Sequence, residues 1–190
     1  MKHLVARITI SILLAAGYSL GAQAATVAIS PSVSVVNNGA TFSLDLVGLG
    51  FDSGDLDGGG INFTFDASVL NVTNVTVNEA DWEFFSTEGT TDNGAGTVNG
   101  ISFNSFQSRT GDLLFATVDF LAVGLGVSGF TLSEFNANPF GTGGALYPGL
   151  IFDQSGQVTV SEVPVPAAFW LFASALLVLV RKGHKSKKSF

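Results

Sequence analysis

Cysteine is absent from the 190 residues, and the two histidines, His3 and His184, sit near the chain ends. Between positions 8 and 180 a single basic side chain, Arg109, stands against fifteen Asp and Glu residues. Helical periodicity is missing too, since no apolar runs in the middle of the chain are joined by a stretch with the 3.6-residue repeat. Each absence excludes something. Without cysteine there is no disulfide and no thiolate metal site, so stability must come from packing or a bound ion. Without a central histidine, Ser-His-Asp, Cys-His and histidine-based metal catalysis cannot be assembled there. With one cation against fifteen anions the middle of the chain carries a net charge of −14, which the whole-chain value of −7 hides. Such a field repels phosphate backbones, excluding nucleic acid, and favours divalent cations and basic partners.

What is present divides into three parts. Residues 1–24 read as a Sec signal peptide: Lys2, His3 and Arg7 make the positive start, 8–20 the apolar region, and Ala22-Gln23-Ala24 the small-residue cleavage site. At the other end, Val163-Pro164-Val165-Pro166-Ala167-Ala168 leads into an apolar stretch over 167–180. A basic tail over 181–190 follows, with Arg181, Lys182, Lys185, Lys187 and Lys188. Cations on one flank hold that flank on the cytoplasmic side. The 14 residues of 167–180 fall short of the roughly 20 that span a bilayer as a helix, unless the proline segment is drawn in. The expectation is one marginal C-terminal transmembrane helix suited to temporary anchoring.

This tripartite end resembles the PEP-CTERM sorting signal. The resemblance is carried by the proline motif, the aromatic start Phe169-Trp170-Leu171, the Ser-Ala-Leu-Leu core of 174–177 and the basic cluster. It departs from the pattern at Val165, where the eponymous motif has glutamate. The resemblance implies a Gram-negative bacterium, an exosortase that recognises and cuts near the motif, and delivery to the cell surface or exopolysaccharide matrix. The plainer reading is an ordinary C-terminal membrane anchor.

Residues 25–162 remain, the size of one domain with a core. They are rich in Val, Phe, Thr, Ile and Gly, and apolar residues alternate over short runs at 32–36, 41–47, 61–65, 72–77, 98–103, 113–123, 130–135 and 157–160. Phe42, Leu44 and Leu46 share one face, as do Ile61, Phe63 and Phe65. Turn residues separate the runs: Asn37-Asn38-Gly39, Asp57-Gly58-Gly59-Gly60, Asp92-Asn93-Gly94, Arg109-Thr110-Gly111-Asp112 and Gly141-Thr142-Gly143-Gly144. The expected fold is all-β, a sandwich of about 8–9 antiparallel strands in two packed sheets.

Within this domain 60–75 reads Gly-Ile-Asn-Phe-Thr-Phe-Asp-Ala-Ser-Val-Leu-Asn-Val-Thr-Asn-Val, and 110–120 reads Thr-Gly-Asp-Leu-Leu-Phe-Ala-Thr-Val-Asp-Phe. The first resembles the cohesin corner "D-x-S-V-L-x-V" and the second the late cohesin strand, with the Asp92-Asn93-Gly94 hairpin between them in the right order. The resemblance implies a cohesin-like jelly-roll β-sandwich and docking of a dockerin-like protein. Kinship with carbohydrate-binding modules implies polysaccharide as the other ligand class, since fold alone does not fix the ligand.

Candidate sites are few. Asp52, Asp55 and Asp57 on a Gly-rich stretch offer hard oxygen ligands, making calcium the candidate ion, although such acidic loops are commonly just solvated. Asp92 and Asn93 are a more generic second source. Asp81 and Glu83 flank Trp82, an arrangement a carboxylate-dependent glycosidase could use with the ring stacked on a sugar. An acidic loop with one tryptophan is the bland alternative. Phe84, Phe85, Phe106, Phe140 and Tyr147 fall in loop-like stretches and are expected on a contact surface, unlike the alternating phenylalanines of the core. Asn62, Asn71 and Asn74 open Asn-x-Thr triplets, read as strand and turn residues. The combined expectation is an exported, non-catalytic binding module, with a stably anchored adhesin or a glycosidase as alternatives.

Overall fold

The structure, a computed structural model, describes residues 24–162, leaving aside the side chains of 53–55, together with helical Phe172, Ser174, Leu176 and Leu177. The sorting motif, the basic tail, most of the apolar stretch and nearly all of the signal peptide lie outside the described residues. Among the described residues no helix is long and apolar enough to cross a membrane.

Among the described residues thirteen strands follow one another: β1 (Thr26–Ser30), β2 (Val33–Asn37), β3 (Thr41–Thr64), β4 (Leu70–Val77), β5 (Phe85–Thr87), β6 (Thr90–Asp92), β7 (Thr97–Ala122), β8 (Gly126–Gly129), β9 (Thr131–Glu134), β10 (Gly141–Thr142), β11 (Ala145–Leu146), β12 (Ile151–Phe152) and β13 (Gln157–Ser161). The organising pair is β3 and β7, which run antiparallel over nearly their whole length and belong to both layers of the fold. Their first pairing joins 41–48 of β3 to 113–121 of β7, and their second joins 58–64 to 97–104. Between these the register shifts repeatedly, and Gly111 adopts φ 85° opposite Phe51. Such irregularities bend a ladder and let one strand serve two sheets.

One half of the folded sheet is therefore β12, β1, the first part of β3, the second part of β7, and β4. The other is β9, the second part of β3, the first part of β7, and the β5 and β6 segments at its edge. A separate three-stranded sheet places β13 between β2 and β8. Pairings are antiparallel apart from β1 with β12 and β2 with β13.

Alternation decides which side chains fill the space between the layers. Leu44 and Leu46 from one layer and Ile61, Phe63 and Phe65 from the other are buried, with Phe42 packed against them. Rings meet across the gap: Phe103 stacks on Phe115 with centroids 4.4 Å apart, and Phe63 and Phe65 lie 6.3 and 6.1 Å from Phe120. Burying an aromatic ring of this size removes a large apolar area from water, so this phenylalanine-rich seam dominates the packing energy that replaces the missing disulfides.

The Asp66-Ala67-Ser68 corner has a direct physical explanation. The Asp66 carboxylate accepts from the Ser68 N–H at 2.9 Å and the Ser68 hydroxyl at 2.6 Å. The Asp66 carbonyl accepts from the amides of Val69 and Leu70, so the chain turns into β4 with its donors paired. These bonds hold the Asp66 carboxyl below its ordinary value, the Ser68 hydroxyl acting most strongly.

Two expected turns are strand instead. The residues Asp57-Gly58-Gly59-Gly60 lie inside β3, where Gly58, Gly59 and Gly60 pair with Asn104, Phe103 and Ser102. Glycine is needed there for closeness rather than for a left-handed φ, since a Cβ on Gly59 would lie 2.7 Å from the buried Phe140 ring. The stretch Arg109-Thr110-Gly111-Asp112 likewise sits within β7, at its bend. By contrast, Gly39, Gly143 and Gly144 take positive φ in turns as expected.

Candidate binding surface

The turn after β4 fixes the most chemically distinctive cluster of the domain. Asn78 accepts from the amides of Asp81 and Trp82, and its side-chain amide donates to the Asp81 carboxylate at 2.8 Å. The Trp82 indole N–H donates to the Leu114 carbonyl at 2.9 Å, and its ring packs 4.8 Å from Phe103 and 5.8 Å from Phe115. Trp82 is 1% exposed. It is a core residue that ties the turn to β7, not a platform for a sugar, because its apolar ring and its one donor are both satisfied inside.

Asp81 and Glu83, on either side of it, converge on Arg109 from β7. Arg109 Nη1 lies 3.5 Å from Asp81 Oδ1, and Nη2 donates to Glu83 Oε2 at 3.3 Å. Glu83 also accepts from the Ser105 hydroxyl at 3.0 Å and from the Phe106 amide at 3.2 Å. Its carboxyl is held below its ordinary value, first by its own backbone N–H and then by Ser105, Phe106 and Arg109, against the opposing effect of desolvation. A glycosidase acid needs the reverse, a carboxyl raised so that it can hold a proton near neutrality.

This anchoring aims two rings outward. Phe84 and Phe106 contact each other with centroids 4.4 Å apart while remaining 58% and 74% exposed, and neighbouring Phe85 is exposed as well. Three of the five aromatics expected on a contact surface, Phe84, Phe85 and Phe106, are thus exposed. Phe140 and Tyr147 are buried instead: Phe140 packs 5.6 Å from Phe103, and Tyr147 lies 4.9 Å from Phe51. The short β10–β11 hairpin folds the segment carrying both back over the core.

Beside the cluster, the β4 edge and the β5–β6 segment enclose an open groove of about 570 Å³, lined mainly by Thr76, Glu79, Ser86, Thr87 and Glu88. It adjoins a second hollow of about 310 Å³ bordered by Thr73, Asn74, Thr91 and Asn93. Apart from Asn74 and Asn93, which the sequence singles out only as a triplet and turn residue, no sequence signal marks these residues, which are ordinary strand and turn types until the chain folds.

Of the candidate calcium ligands Asp52, Asp55 and Asp57, the structure describes the side chains of Asp52 and Asp57. Asp57 accepts from the Ser108 hydroxyl at 2.6 Å and from the Gly143 amide, which hold its carboxyl below its ordinary value, Ser108 foremost. Asp52 is exposed on β3, and the Asp55 side chain lies outside the described residues. Among the described residues no three His, Cys, Asp or Glu side chains gather where they could hold a metal. Asp92 caps its own turn through the amides of Gly94 and Ala95. Asn93 makes a two-way amide bridge to the Val72 N–H and carbonyl at 2.7 and 2.9 Å, standing in for a missing strand. Asn62 is similarly occupied, donating to the Glu134 carbonyl and accepting from the Gly100 amide.

Two long bent strands shared by both layers, with short strands at their edges, define a jelly-roll β-sandwich. The fold is that of the cohesins. CaCohA2 from Clostridium acetobutylicum matches with a TM-score of 0.57 and 16% identity over 75% of this chain and 94% of its own. The third ScaC cohesin of Acetivibrio cellulolyticus, in complex with the ScaB dockerin, matches at 0.55 and 15% over 74% and 99%. A non-cellulosomal cohesin from the archaeon Archaeoglobus fulgidus matches at 0.51 and 12% over 77% and 96%. No protein-family model and no curated protein sequence matches the chain.

Proposed function

We propose that the protein is an exported, non-catalytic binding module that docks a dockerin-like protein partner outside the cytoplasm. The observation that carries this reading is the Phe84–Phe106 pair: two exposed rings in contact, held by a Glu83 carboxylate that is itself fixed by Ser105, the Phe106 amide and Arg109. Rigid, exposed aromatics beside an arginine are the composition of interface hot spots. The cohesin fold supports a protein partner, and the ScaC neighbour was solved with a dockerin. The depressed Glu83 carboxyl supports the non-catalytic part of the reading.

The surrounding charge specifies the partner further. With fifteen acids against one arginine in the domain, a complementary surface carries lysine or arginine at its rim and an apolar pocket for the rings. The test is binding of the partner captured from the native host's extracellular fraction to the wild-type protein and to the double variant Phe84→Ser, Phe106→Ser. Affinity falls by about thirtyfold or more on this reading, from roughly 2 kcal/mol or more for a hot-spot pair, while thermal stability is kept. Unchanged affinity refutes it. The polar groove beside β4, lined by hydroxyl, amide and carboxylate groups, favours polysaccharide as a second ligand, bound independently of the two rings.

The chain ends supply the setting. The 1–24 segment directs Sec export, and 163–190 anchors the precursor until an exosortase cuts near 163–168 and releases the domain to the surface or matrix of a Gram-negative cell. Intact-mass measurement of native protein from medium and from membranes tests this: a product beginning near Ala25 and ending within 163–168 is expected. Protein ending at Phe190 and confined to membranes leaves a stably anchored adhesin.

A further inference from the structure

The acids of this domain are not spread evenly over its strands. The three strands of the separate sheet, β2, β8 and β13, all come from uncharged stretches: 26–44, 120–133 and 154–161 contain no Asp, Glu, Lys or Arg. Register places Val35, Thr159 and Val127 in one row across this sheet, with Val33, Gln157 and Gly129 in another. The inward-facing partners Val158, Val160 and Ser128 are buried, so the outer face is the one that shows Val33, Val35 and Val127, each more than half exposed. Leu125, just before β8, is also exposed, and it lies beside the Val160 end of β13, to which Gly126 pairs. In a domain of net charge −14 this is a face built without a charge, its exposed valines flanking the polar Gln157 and Thr159 of the central strand.

The chain leaves the domain from the same sheet. β13 ends at Ser161, and the apolar stretch begins at Ala167, six residues on. Six residues reach at most about 20 Å even when fully extended. We infer that while the precursor is anchored, this face rests on the lipid surface, and that the inference depends on 167–180 being a membrane anchor. The occupant follows from charge and tether together. An anionic leaflet repels the acidic remainder of the domain and leaves the neutral sheet as the side that can approach it. Four exposed aliphatic side chains bind lipid weakly on their own, but the tether makes the contact intramolecular and supplies a high effective concentration.

Because the chain has no cysteine, one label can be placed at one site. Full-length protein carrying Val35→Cys, Val127→Cys or, as control on β5, Thr87→Cys is labelled with an environment-sensitive fluorophore. It is then reconstituted at one chain per vesicle into phosphatidylethanolamine–phosphatidylglycerol vesicles containing a spin-labelled quencher lipid. Quenching at 35 and 127 several-fold stronger than at 87 is expected, and Val35→Asp should weaken it at 127. Equal quenching at all three sites overturns the inference while leaving the anchor intact. Strong quenching at 35 only when vesicles hold many chains means a second copy covers the face, which also overturns it. Protein that fails to float with the vesicles refutes the anchor itself, and the inference with it.

Discussion

The edge formed by β5 and β7 and the sheet formed by β2, β8 and β13 are both solvent-facing parts of one small sandwich, yet they are built on opposite principles. The first gathers the domain's lone arginine, two carboxylates that neutralise it, and a pair of rings held rigid by those bonds. The second has no charge at all and exposes separated aliphatic side chains on strands with open edges. Specific recognition needs fixed, directional groups, whereas contact with a fluid apolar phase needs only surface without charge. The difference separates a face suited to a defined partner from a face suited to an undefined one.

Substitutions can break this comparison at several depths. The largest effect is expected in the aromatic seam beneath the Trp82 turn. Phe103→Ala empties the seam against Phe115, Trp82 and Phe140 and should cost about 3–5 kcal/mol, read by denaturant unfolding. Gly59→Val drives a side chain into the Phe140 ring and should cost about 1–3 kcal/mol. Arg109→Gln leaves Asp81 and Glu83 without their cation. It should lower thermal stability by less than about 1 kcal/mol, since the pair is half open to water, but loosen Phe106 and weaken partner binding more than it weakens the fold. On the neutral sheet Val127→Ser should change stability by no more than about 0.5 kcal/mol and leave partner affinity unchanged.

Acid should act more strongly on one side of the comparison: Glu83 and Asp57 lie by the Arg109 bend, whereas Asp66 lies beside β8, where its N–H donates to the Ser128 hydroxyl. Glu83, Asp57 and Asp66 all have carboxyl groups held below their ordinary values in the folded protein, so the unfolded chain takes up protons first as the pH drops. The stability they contribute is complete above the ordinary carboxylate range and is lost as the pH falls through the folded values. A thermal melt followed by probes near Phe106 and near Val35 should show the first region loosening earlier on acidification. The uncharged sheet has no titrating group of its own.

Much of the sandwich was legible because alternation is a local signal. Phe42, Leu44 and Leu46, and Ile61, Phe63 and Phe65, announce their strands and their inward face within a few residues, and the Asp66–Ser68 corner carries its own hydrogen bonds. Glycine was ambiguous: at 58–60 it marks close approach to Phe140 and Asn104, which only the folded neighbours reveal, whereas at 39 and 143 it marks a turn. Phe140, Tyr147 and Trp82 were misplaced because flanking loop-type residues hid segments that fold back onto the core. The Arg109 link to Asp81 and Glu83 spans more than twenty residues, and the charge-free sheet assembles three stretches far apart in sequence. Neither has a local signature, although the uncharged stretches could be read once their pairing was known.

The most direct test of the two-faced account replaces Phe106 or Val35, one at a time, with a photo-crosslinking phenylalanine analogue in the full-length protein in its native host. The account predicts a protein adduct from position 106 and lipid, without that protein, from position 35. No protein adduct at 106, or the same protein captured from both positions, would contradict it.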